Sequence, residues 1–370
     1  MIEVGLAESL AWRLGQHALH TPAATGVVGA AERVVATRAW PQEVAELALA
    51  IRQADPQPGA LARALETGEL VQSYAFRGGA YVFTPDVAAV LLAVRTTSRV
   101  WESRRWQVQG GFEIGDWEPL REAVRGALAH GPATRAEIGE HLRESGLAHL
   151  AEAATTGRGA DSLYKPLHWW GDIRFGPARD GQSTFRLLDG DPCWPGLPDV
   201  DGAGREAIRL YLAAYGPATF ENLRYWLAEG LSAPKRRLEQ WIQDLGEEIT
   251  TVVCAGVAAY VLTSTLDELR DSEPSTAISL IPGYDPWVLG PGTADARVVA
   301  PRWRWLLTRG ARPVLRGGVV AGHWRRRGPR VEVSWFAEAG AEPMADLEAA
   351  VRRLGAAHAD TFSLDVVGSG

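Results

Sequence analysis

One four-residue echo constrains this chain more than its composition does. Gly131-Pro132-Ala133-Thr134 returns as Gly216-Pro217-Ala218-Thr219. Each copy follows an amphipathic segment (residues 120–130 and 207–215) and precedes another (136–142 and 220–227). Proline cannot continue a helix, and the threonine hydroxyl accepts a bond from an amide that the start of the next helix leaves unpaired. Helix, Gly-Pro turn and capped helix is the grammar of a helix-turn-helix, with a plain helical hairpin as the rival. The continuation favours the former. After the second copy, residues 234–245 form a third helical stretch with Leu238, Trp241, Ile242 and Leu245 on one face, followed by β-like runs at 249–254 and 258–263 around Ala255-Gly256. Three helices and a hairpin predict a winged helix. After the first copy the same order reads less cleanly, with a helix near 162–169 and runs at 172–175 and 184–188.

The N-terminal third predicts a further such unit. Residues 6–19 are amphipathic, and Pro41 opens a helix with Val44, Leu47, Ala48 and Ile51 on one face. A short helix at 58–66 precedes β-like runs at 70–76 and 80–84 around the turn Arg77-Gly78-Gly79, and Thr84-Pro85 starts a helix to about residue 98. The last hundred residues change character. A buried strand at 277–281, a hairpin of 319–326 and 330–335 around Gly328-Pro329, a helix carrying Met344, Leu347, Val351 and Leu354, and a strand at 362–366 predict a β-rich module. The acidic, Pro/Gly-rich stretch 189–204 reads as a linker. The expectation is an α+β chain with winged helices at 1–115, 116–200 and 201–272 and a β-rich C-terminal module at 273–370.

Totals narrow the class. At 370 residues, 46% hydrophobic and 22% charged, the chain has ample core and more than one domain. No apolar run reaches the ~18 residues of a membrane span, and acids stand near the N-terminus where a secretory signal carries bases. Cys193 and Cys254 alone suggest neither disulfides nor a thiolate zinc site, so the cytoplasm is the expected address. The net charge of −7 argues against nucleic acid unless the bases gather on one face. Lys165 and Lys235 are the only lysines among 38 basic residues, a skew that fits a GC-rich bacterial genome. It has a physical consequence, because arginine grips phosphates and guanine edges with a bidentate fork.

Four segments carry a family resemblance: residues 70–78, 163–176, 215–219, and 280–290, the last reading Leu280-Ile281-Pro282-Gly283-Tyr284-Asp285-Pro286-Trp287-Val288-Leu289-Gly290. In these segments and their order, the chain resembles the tandem winged-helix DNA-binding family that includes the AlkZ-like and YcaQ-like DNA glycosylases, which excise alkylated purines and unhook interstrand crosslinks. The resemblance implies three winged helices curved round a channel for double-stranded DNA, followed by a β-rich part. It also implies a catalytic Gln-Φ-Gln or Gln-Φ-Asp triplet that holds a water and stabilises charge at the sugar carbon. Working back from Ala45-Glu46-Leu47-Ala48-Leu49, that triplet falls on Arg38-Ala39-Trp40. Gln42 lies past Pro41, out of register, and a family histidine after the Arg-Gly turn appears as Tyr81. Arginine stays protonated and indole only donates, so neither accepts a proton from water.

The candidate residues follow, each with its rival reading. Arg38 and Trp40 are a phosphate clamp and a stacking wedge, or else a solvated arginine and a packed indole. Arg77 at a hairpin tip is a backbone contact or an ordinary surface arginine. Lys165 stands beside His168-Trp169-Trp170, whose rings stack on bases or belong to a core. Lys235-Arg236-Arg237 opens a recognition helix or a solvated face. Arg325-Arg326-Arg327, at the turn of the late hairpin, grips a groove or guards a sheet edge. By resemblance Tyr284, Asp285 and Trp287 face the lesion; Asp285 is the only carboxylate nominated for catalysis, against a turn-forming role before Pro286. No histidine pair at ligand spacing, phosphate loop or nucleophile triad emerges, so no metal or cofactor is expected. The readings are a monomeric DNA-repair protein for alkylated bases, either a glycosylase with an altered triplet or a lesion binder without hydrolysis; a non-enzymatic DNA-binding regulator; and an inactive paralogue.

Overall fold

In the computed structural model, which describes residues 2–155 and 157–368, the four-residue echo does the same structural work twice. Thr134 caps the helix Arg135–Glu144 by accepting from the Glu137 amide at 3.3 Å, while the Glu137 carboxylate accepts from the Thr134 amide at 2.7 Å. Thr219 and Asn222 repeat this at the helix Phe220–Leu223, at 3.2 and 2.9 Å. Reciprocal capping satisfies two donors that a helix start otherwise leaves to water. The alanine before each threonine docks on its unit's hairpin: Ala133 pairs with Phe185 and Ala218 with Tyr260.

Among the described residues, three of the four sheets are three-stranded. In the first, the hairpin of Val71–Tyr74 and Ala80–Phe83 gains the strand Thr37–Arg38, with Arg38 opposite Tyr81. In the second, Ile173–Phe175 and Thr184–Leu187 gain Ala133–Thr134. In the third, Ile249–Cys254 and Val257–Leu262 gain Ile2–Val4 in parallel. That last pairing crosses the expected boundaries, since Ile2–Val4 closes a sheet 250 residues away. The cause is apolar: Val4 and Trp12 complete one cluster with Val252, Cys254 and Val261.

The β-rich module is a five-stranded sheet in the order Ile278–Leu280, Arg312–Arg316, Val319–Arg327, Arg330–Trp335, Ser363–Gly368. The helix Met344–His358 covers it with Leu347, Val351 and Leu354, whereas Met344 is exposed at the helix start. Leu47, from the N-terminal helix Gln42–Ala50, joins the same cluster. The linker expectation needs correction at one end. Residues 200–204 belong to the helix Val200–Tyr215, which Asp199 caps by accepting from the Gly202 amide at 2.8 Å. Gly204 is needed there because a methyl group would sit inside the Trp241 indole.

Candidate nucleic-acid interface

Arg38 sits on the edge strand Thr37–Arg38, and strand alternation turns Arg38 and Trp40 outward while Ala39 between them is fully buried. Trp40 leaves 66% of its surface exposed, which removes the packed reading of that indole. The Arg38 guanidinium lies 4.4 Å over the Tyr284 ring. Tyr284 is held in the left-handed region at φ 62°, and its ring packs against Gly310, where a side chain would collide with it. Arg38, Trp40, Tyr74, Arg135 and Lys165 line one cleft of about 590 Å³. The hairpin turn closes it: a methyl group on Gly78 would stand 3.2 Å from Lys165 Nζ.

A smaller recess opens on the other side of Arg38, lined by Phe76, Arg77, Tyr81, Trp226 and Tyr284. Burial pushes the Tyr81 hydroxyl pKa up, with Arg38 and Arg77 pulling the other way, so Tyr81 stays a neutral phenol. Arg77 is left-handed at φ 51° and points away from the hairpin. Its guanidinium lies 4.2 Å over Tyr225 and donates to the Tyr225 carbonyl at 3.3 Å, with Glu229 at 3.9 Å. Arg77 therefore bridges the first hairpin to the segment Arg224–Gly230 while remaining half exposed.

In the larger cleft, Lys165 Nζ is 3.0 Å from Asp161 and 5.1 Å from the Tyr74 ring centre. Arg135 approaches Asp161 at 3.4 Å and donates to the Tyr74 hydroxyl at 3.2 Å. Sequence reasoning missed Arg135, Asp161 and Tyr74. Only the echo pointed at Arg135, which follows the capping Thr134 directly; the equivalent position after Thr219 is Phe220, so the repeat carries no charge signal there. Behind the cleft the tryptophans Trp169 and Trp170 pack with Trp101, Trp106 and Trp117, which favours the core reading of that pair. His168 is fully buried, shares a hydrogen bond with Ser73 Oγ at 2.9 Å, and has its pKa driven well down by desolvation and then by Arg135 and Lys165.

Other nominated residues lie elsewhere. Asp285 lines neither cavity: it is fully buried, gripped by Arg52 at 2.6 and 2.9 Å, and caps the helix Pro286–Leu289 by accepting from the Trp287 amide at 2.8 Å. Its placement removes the expectation of electrostatic work on a lesion, because both oxygens are spent inside the protein. Trp287 is likewise fully buried, its indole N–H donating to the Gly318 carbonyl at 2.9 Å, so it cannot stack on a base. Lys235, Arg236 and Arg237 are exposed at the start of the helix Lys235–Leu245, with Lys235 3.7 Å from Glu239 and Arg237 3.5 Å from Asp201. On the late hairpin, Arg325 and Arg327 share Glu332 on one face, and Arg326 meets Asp360 at 2.9 Å on the other. Among the described residues no group of His, Cys, Asp and Glu is placed to hold a metal, and no helix is long and apolar enough to cross a membrane.

A cleft lined by Arg38, Arg135 and Lys165 with the exposed Trp40 indole, carried on helix-and-hairpin units, has the chemistry of a nucleic-acid-binding surface. The family model described as DNA glycosylase AlkZ-like matches residues 31–357, and the chain belongs to that family. It is 34% identical over 324 residues to an interstrand DNA cross-link repair glycosylase of Streptomyces sahachiroi, spanning 85% of this chain and 86% of the relative. The solved structure of the Streptomyces sahachiroi DNA glycosylase AlkZ matches with a TM-score of 0.92 at 29% identity, covering 99% of this chain and all of that one.

Proposed function

We propose that this chain is a DNA-repair protein that recognises alkylated bases in duplex DNA and holds them in the cleft of Arg38 and Trp40, with hydrolysis of the N-glycosidic bond lost or strongly reduced. One observation carries the reading. Arg38 and Trp40 face the cleft where the family resemblance expects a water-holding triplet, and neither side chain can take a proton from water. What they can do is bind. An exposed indole stacks on an unstacked base, and a guanidinium pairs with phosphate. The cross-link repair named for the Streptomyces sahachiroi relative supports covalently modified duplex as the substrate class. With a net charge of −7, binding rests on the local gathering of Arg38, Arg135 and Lys165. We read the helix-and-hairpin units as winged helices at 1–115, 116–200 and 201–272, preceding the β-rich module at 273–370.

The test pairs binding with chemistry. Labelled duplexes with and without N7-alkylguanine are titrated with protein over a salt series, then incubated, heated in base and scored for strand breaks at abasic sites. The expected result is tighter, salt-sensitive binding to the modified duplex and breaks no faster than spontaneous depurination. Breaks that accumulate with turnover overturn the loss of hydrolysis. Equal affinity for the two duplexes overturns lesion recognition. The double substitution Arg38→Gln with Trp40→Gln restores water-holding amides and is expected to raise the break rate above background.

A further inference from the structure

We infer that Arg135 and Lys165 form a phosphodiester-binding pair that carries its own internal counter-ion, Asp161. The inference rests on the reading above that duplex DNA enters this cleft, and it adds a site and a control on affinity that the Arg38–Trp40 rim does not supply.

Asp161 and Lys165 stand one turn apart on the helix Gly157–Trp169, and Arg135 is the first residue of the helix Arg135–Glu144. Asp161 spans the two, with Oδ2 3.0 Å from Lys165 Nζ and Oδ1 3.4 Å from Arg135 Nη2. Among the described residues it is the only carboxylate on the cleft wall, against three cations. All three side chains reach solvent, and Asp161 is the most open at 41% exposure, against 27% for Arg135 and 17% for Lys165.

A merely structural ion pair would position cations that nothing else holds. Here something else does. The Lys165 ammonium lies over the Tyr74 ring beneath the Gly78 turn. Arg135 donates to the Tyr74 hydroxyl and lies 5.6 Å over the Tyr164 ring. The aromatic platform fixes both cations at the cleft surface, so the carboxylate is left with the task of neutralising them. Carboxylate and phosphate oxygens compete for the same N–H donors, and a partly exposed ion pair is weak enough for a polyanion to displace. An arriving phosphodiester takes the two cations from Asp161 and is then repelled by the freed carboxylate. Asp161 thus lowers the affinity for any duplex, undamaged DNA included, without touching the contacts at Arg38 and Trp40.

The experiment is a fluorescence-anisotropy titration of a fluorescein-labelled, unmodified duplex across a potassium chloride series. Asp161→Asn keeps the side-chain shape and removes the charge; it is expected to tighten binding about threefold to tenfold at low salt, in the manner of a like charge removed from an interface. Lys165→Ala and Arg135→Ala are each expected to weaken binding and to reduce the salt slope by about one unit. In the Arg135→Ala/Lys165→Ala background, where only direct repulsion between carboxylate and phosphate is left, Asp161→Asn is expected to tighten binding less than it does in the wild-type background. Unchanged or weaker binding by Asp161→Asn in the wild-type background overturns the inference, as does tightening of equal or greater size without the two cations. Wild-type protein that binds the duplex while ignoring all three substitutions sinks this site and leaves the lesion-holding reading intact. Wild-type protein that binds no duplex at any salt sinks both.

Discussion

Arg52 closes on Asp285 with two bonds of 2.9 and 2.6 Å, and neither side chain exposes any surface. Arg52 also donates to the Ala48 carbonyl at 2.5 Å, so the pair ties the end of the helix Gln42–Ala50 to the turn that carries Tyr284 under Arg38. This ion pair anchors from behind the turn whose Tyr284 and Pro286 line the recess. Removing one partner of a buried pair leaves an uncompensated charge and typically costs about 3–5 kcal/mol. Asp285→Asn is therefore expected to lower the urea midpoint sharply, and the loss of DNA binding should follow the loss of fold. A variant with wild-type unfolding and abolished binding to modified duplex would return Asp285 to the site facing the lesion.

Trp40 separates binding from stability in the opposite direction. Its indole is exposed and rests on no core cluster, so Trp40→Ala removes little packing. Base–aromatic stacking is worth about 1–3 kcal/mol, or roughly tenfold to a hundredfold in affinity. The expected outcome is that loss for modified duplex with a melting temperature within about a degree of wild type. A marked fall in melting temperature would reveal that the indole packs in solution.

Two basic clusters of equal sequence density should behave differently on DNA. Arg325 and Arg327 face Glu332, and Arg326 pairs with Asp360 while lying 4.5 Å over Phe362, so the hairpin tip is largely neutralised by its own neighbours. Arg236 has no acidic partner among the described residues, and it stands on the first turn of its helix. We expect Arg236→Ala to cut the salt slope of duplex binding by about one unit and Arg326→Ala to leave it unchanged. The reverse ranking would place the β-rich module, rather than the third helix-and-hairpin unit, against the phosphates.

What the sequence made legible was local. Capping threonines, Gly-turn hairpins and the alternation of Arg325, Arg326 and Arg327 each depend on neighbours a few residues away, and all appear in the structure. The strand Arg312–Arg316 escaped notice because Arg-Pro-Val-Leu-Arg shows no alternation and its proline argues against a strand, yet it lies inside the five-stranded sheet. The cleft itself was half visible. Lys165 was named from its sequence neighbours and Arg38 and Trp40 from the family resemblance, but Asp161 and Arg135 meet only because two helices converge on Tyr74. Asp285 misled for a related reason: its partner Arg52 is 233 residues away, and no pattern announces a buried pair at that separation.

Two histidines give the fold a pH limit with a definite sign. His17 is buried, its Nε2 donating to the Ala214 carbonyl at 3.0 Å, and desolvation followed by Arg52 and Arg13 drives its pKa well below the ordinary 6.5. His168 is shifted the same way beneath the cleft. Both stay neutral in the fold, whereas the unfolded chain takes up protons as pH drops below 6.5. The unfolded state then binds more protons, so stability is full above that value and declines below it, by up to about 1.4 kcal/mol per pH unit for each histidine. Carboxylates confuse this little in the interval from pH 6.5 to 5.5, since the acids with resolved shifts, Asp295 among them, are held below their usual range. Unfolding free energies measured across that interval should fall with a slope of at least about one proton, to which His323 and His358, also shifted down by desolvation, add with the same sign, and His168→Gln should remove part of it. A flat profile would mean that water reaches both imidazoles and lets them charge in place.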